Sequence, residues 1–501
     1  MDLRRNIIAS VLSQAYVVLL GIAVVPIYLD LLGAEGFGLV GFFTVVQALF
    51  NLLDAGLTAT VARETARLRG GASNPERFGR LFAALEVLFG IIALAGAAAL
   101  VIAADYVAYH WLNVETLAVD DVRIALQLMA LAVALRWVSG VYRGLVSGTE
   151  RLVWLSGFSA IFGTLRFVGV IPVMHVAGAT TTVFFCFQMV LAVVELAGLY
   201  LKTGAVFPGG ERVFKVAGLR ELLRPIFRFS ATAAITTAVW GLVTQMDRLL
   251  LSKLLPLAEF AYFTLGVVVA GGLIAIIGPV GSALLPRLAA LEGAGDDGGM
   301  ISVYRKTTRL VAAMVGLFGG MMFYYSRPLL LVWTGDAELS EKAAPILGYY
   351  ALGNAAFCLS AFAYYLQYAK GDLDLHLIGN LGFLLVLVPV LYVIASALGA
   401  VGAAYTWFGL NCAYLLLWVP LVQRRFVSGL WKRWMARDVA PFLGVTLVAG
   451  HLISKWALPA IGADGSLGAI IMAGAMLSAV SGAFYFFYNR WCPVLSFRLK
   501  G

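Results

Sequence analysis

Apolar residues run in stretches of about 20 along the whole chain, each closed by a charged or Gly/Pro-rich turn, which is the length needed to cross a hydrocarbon core of roughly 30 Å. Stretches of this kind must be helices, because backbone exposed to lipid has to satisfy its own hydrogen bonds. The pattern predicts about fourteen: 7–29, 37–60, 81–104, 122–146, 153–175, 177–201, 226–252, 261–286, 310–332, 344–368, 375–397, 399–421, 439–459 and 467–489. The first follows Arg4 and Arg5 as a signal peptide does, yet it is too long and lacks a small-residue cleavage site, so it reads as a retained helix. The fold class is therefore all-α, a polytopic membrane protein.

Composition agrees with a lipid solvent. Of the 501 residues, 61% are hydrophobic and 13% charged, against roughly 25% charged in soluble domains. The formal charge of +9 does not point to nucleic acid, because the basic residues sit in short turns between apolar runs. Counted from a cytoplasmic N-terminus, Arg63, Arg67, Arg69, Arg77 and Arg80 fall in the first inner loop, and Lys202, Arg212, Lys215, Arg220, Arg224 and Arg228 in the central one. Arg424, Arg425, Lys432, Arg433 and Arg437 follow the twelfth helix, and Arg490, Arg498 and Lys500 lie in the tail, whereas Asp105, Glu115, Asp120 and Asp121 mark an outer loop. Both termini are expected to be cytoplasmic.

An internal echo divides the chain. Leu31-Leu32-Gly33-Ala34-Glu35-Gly36-Phe37 after the first helix resembles Leu254-Leu255-Pro256-Leu257-Ala258-Glu259-Phe260 after the seventh. Six helices per copy put both in the same orientation, as parallel repeats. The expected organisation is two pseudo-symmetric six-helix lobes, 1–201 and 226–421, joined by a cytoplasmic linker at 202–225, with two additional helices and a tail in 422–501.

Enzyme signatures are missing. The sequence holds no Walker A loop and no paired-His zinc motif, so no catalytic residue, metal site or cofactor is expected. Gly36-Phe37-Gly38-Leu39-Val40-Gly41 fits a dinucleotide pattern but enters a membrane helix, where glycines serve a turn and close packing. Asp372-Leu373-Asp374 resembles the paired aspartates of nucleotide-sugar enzymes and reads more simply as a solvated turn. Cys186, Cys358, Cys412 and Cys492 have no ligand spacing and read as small core residues.

Ionisable groups inside apolar runs carry the functional signal, since each costs roughly 2.5–3.5 kcal/mol at mid-membrane and tends to face a partner or a cavity. Arg136 and Arg166 lie deepest, and Arg143 shares the face of Arg136 two turns along. The three are substrate-binding candidates for an anion, phosphate being the natural match for guanidinium, or else members of structural ion pairs. The acidic groups Asp54, Glu86 and Glu195 lie nearer the inner end and are placed to pair with Arg143 more readily than with Arg166, leaving Arg136 and Arg166 with no carboxylate at their depth. With Asp247 and Arg248, which also read as a local packing pair or interfacial snorkellers, these acids are the candidates for a gate or an ion-coupling site. Farther along, Asn354, Gln367, Asn380 and Asn411, with Tyr364, Tyr365, Tyr405 and Trp407, suit saccharide contacts or helix-to-helix glue. Gly271, Gly272, Gly278, Pro279 and Gly281 predict a bend in the eighth helix.

The stretch Pro26-Ile27-Tyr28-Leu29-Asp30-Leu31-Leu32-Gly33-Ala34-Glu35-Gly36-Phe37-Gly38, with Leu52-Leu53-Asp54-Ala55-Gly56-Leu57 before Arg63, resembles the N-terminal signature of polysaccharide flippases in the multidrug/oligosaccharidyl-lipid/polysaccharide exporter superfamily. Asp247-Arg248-Leu249-Leu250-Leu251 resembles the corresponding segment of the second half. The resemblance implies two lobes forming a V around a cavity that opens alternately to either side, in the bacterial cytoplasmic membrane. It implies flipping of undecaprenyl-diphosphate-linked oligosaccharide or polysaccharide units, driven by a coupling cation, H+ or Na+, rather than by ATP. The implied partners are the lipid-diphosphate-linked saccharide, membrane lipids, and a polysaccharide polymerase or glycosyltransferases, with no nucleic acid. The alternatives are a peptidoglycan lipid-precursor flippase, a membrane glycan polymerase or glycosyltransferase, and a multidrug exporter. A multidrug exporter more naturally carries acidic mid-membrane residues and twelve helices, and a glycan polymerase a long outer catalytic loop. The topology is checked by cysteine accessibility: a cysteine near position 215 is expected to resist labelling from outside, and one near 112 to accept it.

Overall fold

The computed structural model describes residues 3–54, 56–71, 74–207, 238–457 and 467–492, and among them every regular element is helical. The expected linker at 202–225 lies outside the described residues from 208 onward, as do Arg212, Lys215, Arg220, Arg224, Arg228, Arg498 and Lys500. The chain packs as two compact units, Met1–Ala261 and Tyr262–Gly501. Among the described residues eleven helices are long and apolar enough to cross a membrane, and Ile8–Ala23 is a shorter apolar one. Large apolar side chains such as Leu94, Ile102, Leu385, Val393 and Ile471 are exposed, an arrangement suited to lipid and not to water.

In the first unit, α1 (Leu3–Ala23) runs into α2 (Val25–Leu52) without losing helical bonds, Val24 N donating to Leu20 O (3.2 Å) and Tyr28 N to Val24 O (3.1 Å). The break comes at Gly33 (φ 71°, ψ 176°), a conformation open to glycine. The expected span 37–60 ends early, at Leu52. Asp54 Oδ1 accepts from Thr58 N (3.1 Å) and Thr58 Oγ1 (2.6 Å), and Gly56 turns left-handed, so a separate helix α3 (Leu57–Arg69) begins and carries Arg63 on a helix instead of a loop. After α4 (Pro75–Tyr106) comes α5 (Val119–Gly148), whose Gly140, Gly144 and Gly148 form one stripe against α3. A Cβ at Gly144 would stand 2.6 Å from Thr58 O, and one at Gly148 would collide with Ala62 O, so small residues let the two backbones meet.

The expected span 153–175 is split at Val168–Gly169 into α6 (Leu152–Phe167) and α7 (Val170–Ala177); α8 (Thr181–Val206) follows, and helical residues 238–254 form α9. Helices break at Gly33 and at Pro256, ahead of α10 (Leu257–Gly293). Gly178 before α8 and Gly399 within α14 (Asp374–Ala413) also have positive φ. Gly38 approaches the Leu257 carbonyl so closely that no Cβ fits, which is the packing role read for the glycine-rich motif.

In the second unit α10 runs unbroken through Pro279 and Pro286, where the Gly271–Gly281 run predicts a bend. It is followed by α11 (Asp297–Tyr324), α12 (Ser326–Thr334), α13 (Ala337–Lys370) and α14. The expected spans 375–397 and 399–421 join in one run, Asp374–Phe426, broken at Gly399 and ending in α15 (Val419–Phe426). The chain closes with α16 (Leu430–Trp434), a π-helical turn at Met435–Val439, α17 (Ala440–Leu452) and α18 (Leu467–Trp491). All four cysteines are free; Cys358 is buried as expected of a core residue, whereas Cys186 and Cys492 are exposed.

α11 starts well before the expected residue 310, because Arg305 and Arg309 find a partner that hydropathy does not reveal. Asp438 is fully buried, accepting from Arg305 Nε (2.6 Å) and Arg309 Nε (2.7 Å), and Arg309 Nη1 donates onward to Asn489 Oδ1 (2.9 Å) and Cys492 O (2.7 Å). This cluster binds both C-terminal helices to α11. Removing the shared carboxylate leaves two buried guanidinium groups uncompensated, so Asp438→Ala is expected to cost about 3–5 kcal/mol, read as a lowered thermal-unfolding midpoint in detergent.

Candidate functional site

α5 and α8 present matched rungs. On α5, Arg136 and Arg143 stand seven residues apart, and on α8 so do Gln188 and Glu195, so each pair occupies one face of its helix. Arg136 Nη2 donates to Gln188 Oε1 (2.6 Å), and Arg143 Nη2 to Glu195 Oε1 (2.5 Å). α6 adds the third arginine: Arg166 Nη2 donates to Glu195 Oε2 (2.8 Å). Phe43 and Gln47 of α2 flank Arg136, the ring at 5.4 Å and the amide oxygen at 3.5 Å, and Ser159 Oγ accepts from Arg143 Nη1 (2.9 Å).

The split between α6 and α7 is part of this site. Where the helix is interrupted, Arg166 O accepts from Gln188 Nε2 (3.1 Å) and Phe167 O from Tyr28 Oη (2.7 Å). Side chains of α8 and α2 thus cover carbonyls at a helix end that lipid could not satisfy.

The three arginines expected from the sequence lie together, Arg143 with the expected Glu195, and Arg166 with a carboxylate that was not expected at its depth. Glu195, expected to favour Arg143, bridges Arg143 and Arg166, so the expectation that no carboxylate shares the depth of Arg166 is corrected. Asp54 accepts from Thr58 at the start of α3, and Glu86 is half-buried on α4. Asp247 is buried on α9, its Oδ1 accepting from Arg248 N (2.7 Å), and Arg248 Nε is buried with no hydrogen-bond partner. Gln188 was missed; the seven-residue spacing it shares with Glu195, matched to that of Arg136 and Arg143, was the available signal.

Three arginines against one carboxylate leave two positive charges in excess. The second unit's Arg305–Asp438–Arg309 cluster makes a useful contrast, since Arg305 and Arg309 are buried and Arg309 spends donors on Asn489 and Cys492 as well. Arg143 and Arg166 instead keep 29% and 22% of their side chains exposed, while Arg166 Nε is buried without a hydrogen-bond partner. The first cluster leaves its arginine side chains partly exposed; the second encloses its arginines and holds helices together.

The amide candidates are deeply packed. Asn354 donates to Ala270 O (2.9 Å) and accepts from Trp407 Nε1 (3.0 Å), and Asn411 donates to Trp407 O (2.8 Å), tying α10, α13 and α14 together. Gln367 donates to Ala363 O (3.2 Å) while its Oε1 is buried without a partner, and Asn380 Nδ2 lies 3.1 Å from His376 Nε2. Asp372 and Asp374 make a turn, in which the Asp374 amide and then the Arg425 guanidinium hold the Asp372 carboxyl below the usual carboxylate range.

Residues 3–292, which include all three arginines, Gln188 and Glu195, match the family described as polysaccharide biosynthesis protein. The chain belongs to that family. It is 20% identical over 413 residues to a putative O-antigen transporter of Shigella flexneri, covering 81% of this chain and 94% of that protein. Among solved structures it resembles the lipid II flippase MurJ in an inward closed conformation, with a TM-score of 0.70, 10% identity, and 97% of this chain and 99% of that one covered. An inward-facing multidrug resistance MATE family transporter of the MOP superfamily aligns with a TM-score of 0.66 at 14% identity, covering 84% and 96% of the two chains. A MOP superfamily transporter from Pyrococcus furiosus, described as having a binding pocket of reverse polarity, aligns at 0.58 with 14% identity, covering 85% and 95%. This family member thus shares the fold of these transporters.

The bridging geometry makes Arg143 and Glu195 one energetic unit. A double-mutant cycle on thermal unfolding with Arg143→Gln and Glu195→Gln is expected to give a coupling of about 0.5–3 kcal/mol, whereas the pair Asp54 and Arg143 is expected to add.

Proposed function

We propose that this family member flips undecaprenyl-diphosphate-linked oligosaccharide or polysaccharide units from the cytoplasmic to the outer leaflet of the bacterial inner membrane. It does so by alternating access, with both termini cytoplasmic and with an H+ or Na+ gradient as the energy source. The observation that carries this reading is the excess of two guanidinium charges over carboxylate among apolar helices of a polysaccharide biosynthesis protein. In a low-dielectric setting such a surplus favours an anionic headgroup, and guanidinium forks match phosphate oxygens in pairs. The same surplus disfavours the cationic drugs of a multidrug exporter. In this reading glycosyltransferases supply the lipid-linked unit and a polymerase consumes it, so the protein itself makes and breaks no bond.

A peptidoglycan lipid-precursor flippase is the second reading, favoured by the match to the lipid II flippase across 97% of the chain. Transport of the two lipids in parallel proteoliposome assays separates them.

The decisive residues are Arg136 and Arg166. Arg136→Ala and Arg166→Ala are each expected to abolish flipping of a lipid-diphosphate saccharide in proteoliposomes while leaving a folded protein by thermal unfolding. Lys at either position is expected to rescue only partly, because an ammonium keeps the charge and loses the fork. Retained flipping in both Ala variants overturns the assignment.

A further inference from the structure

Resting on that reading, we propose that Glu195 sets the charge of the arginine cluster to match a diphosphate, which makes the cluster selective for a doubly charged headgroup and able to let it go. A diphosphate that joins a lipid to a sugar is ionised once on each phosphorus and carries two negative charges. Three guanidinium groups and one carboxylate carry two positive charges, so the loaded cluster is neutral. A monophosphate diester carries one charge and leaves the cluster unbalanced. In surroundings where charge is poorly screened, the neutral combination is the one of least electrostatic cost.

The geometry lets Glu195 do this without leaving its place. Its side chain is 3% exposed and is held by Arg143 at 2.5 Å and Arg166 at 2.8 Å. It takes a single nitrogen, Nη2, from each arginine. The Arg143 and Arg166 side chains stay 29% and 22% exposed, and Arg166 gives the carboxylate only Nη2, so a phosphate oxygen can join the cluster rather than displace the carboxylate. Gln188 meanwhile holds Arg136 as a neutral acceptor, which adds no charge. A carboxylate in place of Gln188 would lower the surplus to one; loss of the carboxylate at Glu195 would raise it to three. Excess positive charge holds the diphosphate too tightly in every state of the transport cycle, and binding of that kind does not speed turnover.

The test uses the full-length protein in lipid nanodiscs for binding and in proteoliposomes for flipping, with a polyprenyl-diphosphate sugar and its polyprenyl-monophosphate counterpart as probes. Wild type is expected to prefer the diphosphate. Glu195→Gln is expected to bind the diphosphate about tenfold more tightly and to flip it correspondingly more slowly, while Glu195→Asp stays close to wild type. The double variant Arg143→Gln/Glu195→Gln, which restores a surplus of two, is expected to recover release and part of the flipping rate. A structural brace predicts the reverse: unchanged or weaker binding in Glu195→Gln and no recovery in the double variant, and either result overturns the proposal. If Glu195→Gln fails to fold, the double variant decides, preference for the diphosphate supporting the proposal and loss of that preference overturning it. Failure of the flippase reading itself shows separately, as wild type that neither binds nor flips either lipid.

Discussion

A carboxylate pinned between two guanidinium groups inside apolar helices is the contact around which the first unit is organised. Glu195 cannot be buried alone, and neither Arg143 nor Arg166 can sit in a hydrocarbon setting without an anion or a water-facing edge. Bringing the three together requires α5, α6 and α8 to present the right residues at one level. That requirement fixes the relative register of the three helices. The second rung, where Gln188 receives Arg136 and donates to the Arg166 carbonyl, holds the same register one heptad away. The glycine stripe of α5 meets α3 at close range.

Backbone satisfaction imposes a parallel constraint. An interruption of a helix releases polar groups, and at two places in the first unit contacts from other elements satisfy exposed backbone. The split at Val168–Gly169 is covered by Tyr28 and Gln188. Near the Gly33 break, Glu35 accepts from the amides of Glu115 (2.8 Å), Thr116 (3.0 Å) and Leu117 (2.8 Å), and Asn113 O accepts from Leu257 N (2.9 Å) where α10 begins. The signature Glu35 is thus a backbone clamp for the turn after α4.

The two ion clusters differ in how fully their donors are used. Asp438, Asn489 and the Cys492 carbonyl absorb the donors of Arg305 and Arg309, and the result anchors α17 and α18. Around Glu195, donors are left over and the side chains stay partly accessible. Both clusters are arginine-rich and both lie among apolar helices. What distinguishes them is stoichiometry and exposure, and those are properties of the fold.

Hydropathy alone determined that the protein is an all-helical membrane protein, because a run of some twenty apolar residues has no other stable state in lipid. Burial cost likewise singled out Arg136, Arg143 and Arg166, since a charge in such a run is too expensive to be incidental. The glycine-rich turn at Gly33 and the echo at Pro256 were legible as chain breaks for local conformational reasons. Pairing was not legible. Glu195 was assigned mainly to Arg143, Gln188 was overlooked, and Arg305, Arg309 and Asp438 fell outside the expected spans, because partners 29, 52 or 133 residues apart share no local pattern. Only the tertiary structure decided which arginines are enclosed by protein partners and which stay partly exposed, since that depends on the register between helices and not on the composition of any one of them.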